Sequence, residues 1–147
     1  MWVALVMAQQ AAGGFGEQMI RPDRLEAEVA TWVAALLAGE GCFGLVSAHG
    51  PKLLGFIAVV QNWRPWLRPP LSATIIAIWV EPHVRRQGIG RRLVIAAQRR
   101  LTRNGVDIVD LHALPSPHTA AQFWHDQGFV HTTTYMLRSR AVGPAAA

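Results

Sequence analysis

The residues best suited to chemistry lie in Val80-Glu81-Pro82-His83-Val84-Arg85-Arg86-Gln87-Gly88-Ile89-Gly90, with Arg91 and Arg92 following. This stretch joins an apolar strand-like run to an arginine-rich helical one. Glycine lets the backbone pass close to a ligand. The first amides of a helix have no internal partner, and the helix dipole adds partial positive charge there. Glycines, free amides, dipole and arginines together make a cradle for pyrophosphate. A dinucleotide-binding loop uses the same physics, but its third glycine would fall on Leu93. The Lys-Ser/Thr ending of a triphosphate-binding loop is also absent. The net charge is +5, and Lys52 is the only lysine. Arg85, Arg86, Arg91, Arg92, Arg99, Arg100 and Arg103 crowd one window. Such a cluster suits a phosphorylated cofactor, a nucleic acid or an acidic surface, or stands as a solvated helix face.

The elements that position this loop follow from patterning. Met1–Gly16 is apolar and ends in glycines, and its pattern fits a short helix or a strand. Asp23–Ala38 reads as a helix, capped by Asp23 with Glu26 three residues on. Leu25, Val29, Trp32 and Leu36 repeat at helical spacing, and Gly39 and Gly41 end it. Cys42–His49 and Lys52–Asn62 read as a hairpin around Gly50-Pro51. Trp63–Pro70 holds Pro65, Pro69 and Pro70, which cannot join a ladder, so it is a loop. Ser72–Val80 is a buried strand by its continuous apolar, β-branched run. Arg91–Arg103 is a helix with Ile89, Leu93, Ala97 and Leu101 on one face. Val106–Leu114 reads as a strand, His118–Gln127 as a helix and Val130–Arg138 as a last strand. The order predicts an α/β (α+β) fold: a mixed central sheet flanked by helices. The 147 residues fit one domain, with an atypical helical part over 1–41, a core over 42–138 and a tail over 139–147.

The loop resembles that of the GNAT superfamily of N-acetyltransferases, whose acetyl-CoA loop reads Arg/Gln-x-x-Gly-x-Gly/Ala. Here it is Arg85-Arg86-Gln87-Gly88-Ile89-Gly90, preceded by Val80-Glu81-Pro82 for the family's Val-x-Pro. Downstream, Ala120-Ala121-Gln122-Phe123-Trp124-His125-Asp126-Gln127-Gly128-Phe129 is similar to the family's Ala-x-x-Phe-Tyr-x-x-x-Gly-Phe. The two motifs occur in order and on the expected elements, and the resemblance covers about residues 42–138. The fold it implies begins with a strand and two helices. With only about forty residues before the hairpin, the opening strand is expected to be missing or supplied irregularly by Met1–Met7. An exposed sheet edge would then suit a homodimer.

The resemblance implies a site. Acetyl-CoA serves as cosubstrate, its pyrophosphate on the amides from Arg86 to Arg91, with Arg85, Gln87, Gly88, Ile89 and Gly90 completing the loop. The pantetheine runs along the edge of the Ser72–Val80 strand, past Ile78, with Trp124 also in contact, where that strand splays from Val106–Leu114. The thioester carbonyl lies near the Val80 amide, which steadies the developing oxyanion. A neutral amine attacks directly, so a base helps. Ribosomal-protein alanine acetyltransferases of the superfamily use a strand glutamate, and aligning their acid tyrosine on Trp124 puts His112 at that position. Histidine is a suitable residue type near neutral pH. The alternative for His112 is a histidine that packs on the strand and bonds to backbone. Asp110, on the same expected strand face, is placed to orient it, and Glu81 is a second candidate base.

Trp124 departs from the family's acid tyrosine: its indole N–H donates a hydrogen bond but does not protonate a thiolate. Pro117 replaces an asparagine that contacts the cofactor. Trp63 and Trp66, with Arg64 and Arg68, either form an aromatic lid on the acceptor or cover the sheet edge. Acidic residues number nine and form no cluster, which disfavours a polycationic acceptor and leaves a small amine, an amino acid or a peptide N-terminus. The histidines show no metal-ligand spacing, so no metal is expected. Cys42 is the only cysteine, and no apolar run is long enough for a bilayer, so a cytoplasmic protein without membrane partners is expected. The leading expectation is an amine acetyltransferase. The alternatives are a CoA-binding module with weak catalysis and a nucleic-acid-binding domain built on the arginines; the second leaves the glycines and the Gly-Phe motif without a role.

Overall fold

The computed structural model describes residues 1–11, 23–66, 68, 70–113 and 120–132. Its elements are α1 (Trp2–Ala11), α2 (Leu25–Ala38), β1 (Cys42–His49), β2 (Lys52–Trp63), β3 (Leu71–Val80), α3 (Ile89–Arg103), β4 (Ile108–Leu111) and α4 (Ala120–Asp126). The strands lie in the order β1-β2-β3-β4. β1 and β2 form the predicted antiparallel hairpin, β2 and β3 are antiparallel, and β3 and β4 are parallel, giving the mixed sheet.

The sheet has a core on each face. α3 contributes Ile89, Leu93, Val94, Ala97 and Leu101 to one, where they meet Phe43, Ile57, Val59, Ala73 and Ile75. Each such aliphatic side chain contributes on the order of 1.5–3 kcal/mol of transfer free energy when fully buried. On the other face Phe56, Ala58 and Ala77 pack with Met1, Trp2 and Leu5 of the N-terminal segment. Trp2 stacks on Phe56 at 5.0 Å between ring centroids and meets Trp32 of α2 edge-on at 5.1 Å.

Among the described residues the opening strand is missing, one of the two expected alternatives, and the other needs correction. Met1–Met7 supplies no irregular strand: Trp2–Ala11 is helical, and among the described residues the first strand is β1. Met1, Trp2, Leu5, Ala8 and Gln9 share one helical face, but apolar Val3, Val6 and Met7 on the remaining surface mask that periodicity. Asp23 does not cap α2. Arg24 occupies the cap position with no side-chain cap bond, and Asp23 sits 3.9 Å from the Arg24 guanidinium. β4 is shorter than the expected Val106–Leu114 strand. Val130–Thr132 form no strand, and the remainder of the expected last strand, together with Pro117 and His118, lies outside the described residues.

β3 contains the irregularity that shapes the site. Its register with β2 runs from Ala58–Ala77 directly to Val59–Ile75, so Ile76 is an extra residue in β3. That is a β-bulge, which bends a strand and re-aims its side chains. Its effect shows in the faces: Ala73 and Ile75 point to the α3 core, and after the bulge Ile78 and Val80 do so. Pairing with β4 stops at Ile75–Leu111, beside the bulge, while β3 continues to Val80. A gap therefore opens between the two parallel strands.

Among the described residues no helix is long and apolar enough to cross a membrane.

Candidate active site

β3 delivers the chain to the glycine loop. Glu81 donates its amide to the Leu54 carbonyl, and a single 3-10 turn at Pro82–Val84 follows. Arg86 and Gly88 both adopt left-handed backbone, with φ of 64° and 76°. Glycine holds this conformation without strain; arginine does not. Gly88 is the N-cap of α3 and offers no side-chain cap, so the first amides of that helix are left to an outside acceptor. A Cβ on Gly90 would stand 3.3 Å from the Phe123 ring and 3.7 Å from Val80. Phe123 of α4 thereby packs across the loop's base, and glycine permits that approach.

Side chains brace the loop from both ends. Arg85 donates from Nε to the Val80 carbonyl at 2.9 Å, and its guanidinium lies 4.7 Å over the Trp79 ring. Trp79 in turn donates from Nε1 to a Glu81 carboxylate oxygen at 3.3 Å. Arg92 Nη1 reaches back to the Gln87 carbonyl at 3.2 Å. Arg85 and Arg92 thus hold backbone, whereas exposed Arg86 and Arg91 make no such bond among those found. Glu81, the second candidate base, is engaged by the indole beside it.

The gap beyond Ile75 and Leu111 is a cavity of about 240 Å³. Ile76 and Ile78 of β3, His112 after β4, Trp124 of α4 and Leu5 and Ala8 of α1 line it. His112, Trp124 and Ile78 therefore share one gap. His112 lies one residue past β4 and is exposed, rather than inside a strand. Trp124 is 8% exposed, with Phe123 and Phe129 edge-on to it at 4.9 and 5.2 Å. The left-handed turn at Gly128, φ 86°, returns Phe129 to this cluster, and Phe129 donates its amide to the Trp124 carbonyl. The Gly-Phe of the second motif thus holds Trp124 against the gap.

Asp110 has other partners than the one expected. Thr74 donates its hydroxyl to one carboxylate oxygen at 2.6 Å, and Arg64 Nη1 reaches the other at 2.8 Å. Asn62 donates to Thr74 Oγ1 at 3.0 Å. The network ties the Trp63–Pro70 loop to the β3–β4 seam, and the Arg64 amide closes that loop on the Pro70 carbonyl. Trp63 and Trp66 stand 67% and 77% exposed, at the Leu71 end of β3, and do not line the gap. A wider hollow of about 850 Å³ lies beyond the other side of β4, bordered by Asp107, Asp110 and Val130–Thr132. Trp124 is the one candidate residue that it shares with the gap. Among the described residues no three His, Cys, Asp or Glu side chains gather where a metal ion could sit.

Three further contributors shape the site. The α1 wall was hidden by that helix's uniform apolarity. The bulge at Ile76 lies in an unbroken apolar run that carries no mark of it. Gly55 had a signal, a glycine inside a strand: a Cβ there would come within 2.8 Å of the Trp79 carbonyl and 3.3 Å of Ile89. Gly55 lets β2 lie close under the strand end and the first turn of α3.

Comparison with known proteins agrees with this geometry. The family profile described as "Acetyltransferase (GNAT) family" matches residues 10–129. Among curated proteins none matches the sequence significantly. A transcriptional regulator from Bacillus halodurans is similar in structure, with a TM-score of 0.75 at 19% identity, covering 93% of this chain and 92% of that one. An aminoglycoside acetyltransferase from an uncultured soil metagenomic sample, solved with trehalose, gives 0.70 at 17% identity over 94% and 87%. A ribosomal-protein-alanine N-acetyltransferase from Brucella melitensis biovar Abortus gives 0.66 at 16% identity over 94% and 91%. At these identities the structures attest the fold, and the profile attests the family. A splayed parallel strand pair that feeds a glycine loop at a helix start, matched by that profile over most of its length, identifies the chain as a member of the GNAT acetyltransferase family, an acyltransferase.

Proposed function

We propose that the chain transfers the acetyl group of acetyl-CoA to a primary amine by direct attack. One observation carries this reading: β3 loses its β4 partner at Ile75 yet continues to Val80 and straight into the Gly88–Gly90 loop. That gives one path from an anion cradle to a gap lined by His112 and Trp124. This chain's atoms suit that cofactor. Gly88 leaves backbone open to a diphosphate, with Arg86 and Arg91 beside it, and the β3 edge beyond its β4 partner offers the Ile78 amide and carbonyl and the Val80 amide to an extended arm. When bound, the cofactor supplies the activated thioester.

The chain's own residues then divide the work. The Val80 amide is the proposed oxyanion donor. His112 takes the proton from the attacking amine, directly or through water. Glu81 is the weaker candidate because Trp79 holds its carboxylate. Trp124 stands where a family acid stands, and its indole can donate but not protonate, so the leaving thiolate takes its proton from water. An acceptor long enough to reach from the gap to the Leu71 end of β3 would meet Trp63 and Trp66. Trp124 also favours a second reading, a CoA-binding module with weak turnover. The test is a panel of primary amines with acetyl-CoA, following free thiol and the mass of the product. The proposal expects a gain of 42 Da on the amine, roughly the mass of one acetyl group replacing hydrogen, matched to thiol release. Thiol release without amine acetylation would contradict it.

A further inference from the structure

The gap between β3 and β4 has walls of one chemical character. Leu5 and Ala8, Ile76 and Ile78, Leu111 and Trp124 face it, and its polar contributions come from Gln9 and His112. Among the described residues no carboxylate lines it. The chain has nine acidic residues, and all but Glu17 fall among the described residues. Two acids beside the strands that border the gap are already engaged, Asp110 of β4 by Arg64 and Thr74, and Glu81 after β3 by Trp79. The stretches 12–22, 114–119 and 133–147 add no acid other than Glu17, and they add Arg21, Arg138 and Arg140. Among the described residues the gap therefore has no carboxylate of its own, and the remaining stretches hold a single acid, Glu17.

Chemistry follows from that inventory. A second ammonium on the acceptor would enter apolar walls unpaired, which is costly, in a protein that already carries +5. A single amine gains instead, because desolvation favours its neutral, nucleophilic form. The gap holds about 240 Å³, part of which the cofactor arm along Ile78 would take, and this is less than the ~300–1,000 Å³ typical of sites for drug-sized ligands. We infer that the acceptor is a small primary monoamine with an apolar body, and not a polyamine or an aminoglycoside. The inference rests on the acetyl-transfer reading above and adds the acceptor's class. The step balances simply. The amine nitrogen attacks the thioester carbonyl carbon, the C–N bond forms as C–S breaks, one N–H proton leaves to His112 or water, and the thiolate gains one from water.

The test uses the full chain with acetyl-CoA and three amines: phenethylamine, spermidine and kanamycin. Binding of acetyl-CoA is measured first by calorimetry. The expected result is kcat/KM for phenethylamine roughly tenfold or more above either polycation. Ala8→Glu places a carboxylate at the exposed, gap-lining face of α1 on a good helix former. It should lower kcat/KM for phenethylamine and raise it for spermidine, while Glu17→Gln should leave the order unchanged. Preference for spermidine or kanamycin in the wild type would overturn the inference. So would acetyl-CoA binding with no turnover of phenethylamine, or reversal of the order in Glu17→Gln. Absence of acetyl-CoA binding would instead overturn the reading on which it rests.

Discussion

At the scale of single residues, the site is defined by which polar groups are engaged. Asp110 and Glu81 carry the two carboxylates nearest the β3–β4 seam and the loop, and neighbouring donors occupy both. His112 is the titratable side chain in the gap lining. Its role makes a kinetic prediction. His112→Ala should lose about 10²-fold or more in turnover while acetyl-CoA binding changes little. Turnover of both proteins at saturating acetyl-CoA, beside calorimetric binding of acetyl-CoA, checks this, and unchanged turnover would return His112 to a structural role. The alignment that singled out His112 relied on Trp124, and the structure puts both on one cavity, although His112 stands beyond the strand rather than in it.

At the scale of elements, the decisive feature is the end of β3. The bulge at Ile76, the loss of β4 pairing at Ile75 and the close approach at Gly55 all fall within a few residues of the gap. Gly55→Ala would force the new Cβ against the Trp79 carbonyl, a backbone atom that cannot rotate away. A loss of about 1–3 kcal/mol is expected in denaturant unfolding, together with weaker acetyl-CoA binding, because Trp79 braces the cofactor loop. Unchanged stability would show that β2 and β3 separate more easily than their packing implies. The hairpin, β3 and α3 were legible because their residues obey one period each: Cys42–His49 coincides with its expected bounds, and the buried stripe of α3 is the predicted one with Val94 added. The bulge was not legible, since Ala73-Thr74-Ile75-Ile76-Ala77-Ile78 is compatible with an unbroken buried strand. Nor was the short reach of β4, because its end is set by where β3 bends away and not by its own residues. The prolines mark the tryptophan loop, although Trp63 itself closes β2 in register with Leu71, and the loop's separation from the gap depends on sheet geometry that no local pattern encodes.

At the scale of the whole molecule, the sheet separates two cores, and α1 links one of them to the site. Trp2 stacks on Phe56 and meets Trp32, while Leu5 and Ala8 of the same helix line the gap. Trp2→Ala should cost on the order of 1–3 kcal/mol in unfolding experiments. It should also raise KM for the acceptor more than for acetyl-CoA, because the loosened helix forms a wall of the gap and not of the loop. Equal effects on both constants would place α1 outside acceptor binding. The arginines of α3 continue past the loop to Arg99, Arg100 and Arg103, and Arg100 stacks 4.3 Å over Phe43. The loop at the start of α3 is proposed to bind the diphosphate of acetyl-CoA, and calorimetric titration of the wild type, Gly88→Asn and Gly88→Asp with acetyl-CoA, alongside a duplex DNA control, tests it. Asparagine tolerates the left-handed backbone that Gly88 adopts and adds no charge, so it separates strain from repulsion. The expected result is saturable binding of acetyl-CoA by the wild type, weakened binding by Gly88→Asn and none by Gly88→Asp. Binding of acetyl-CoA by Gly88→Asp with wild-type affinity, or binding of DNA alone, would contradict it.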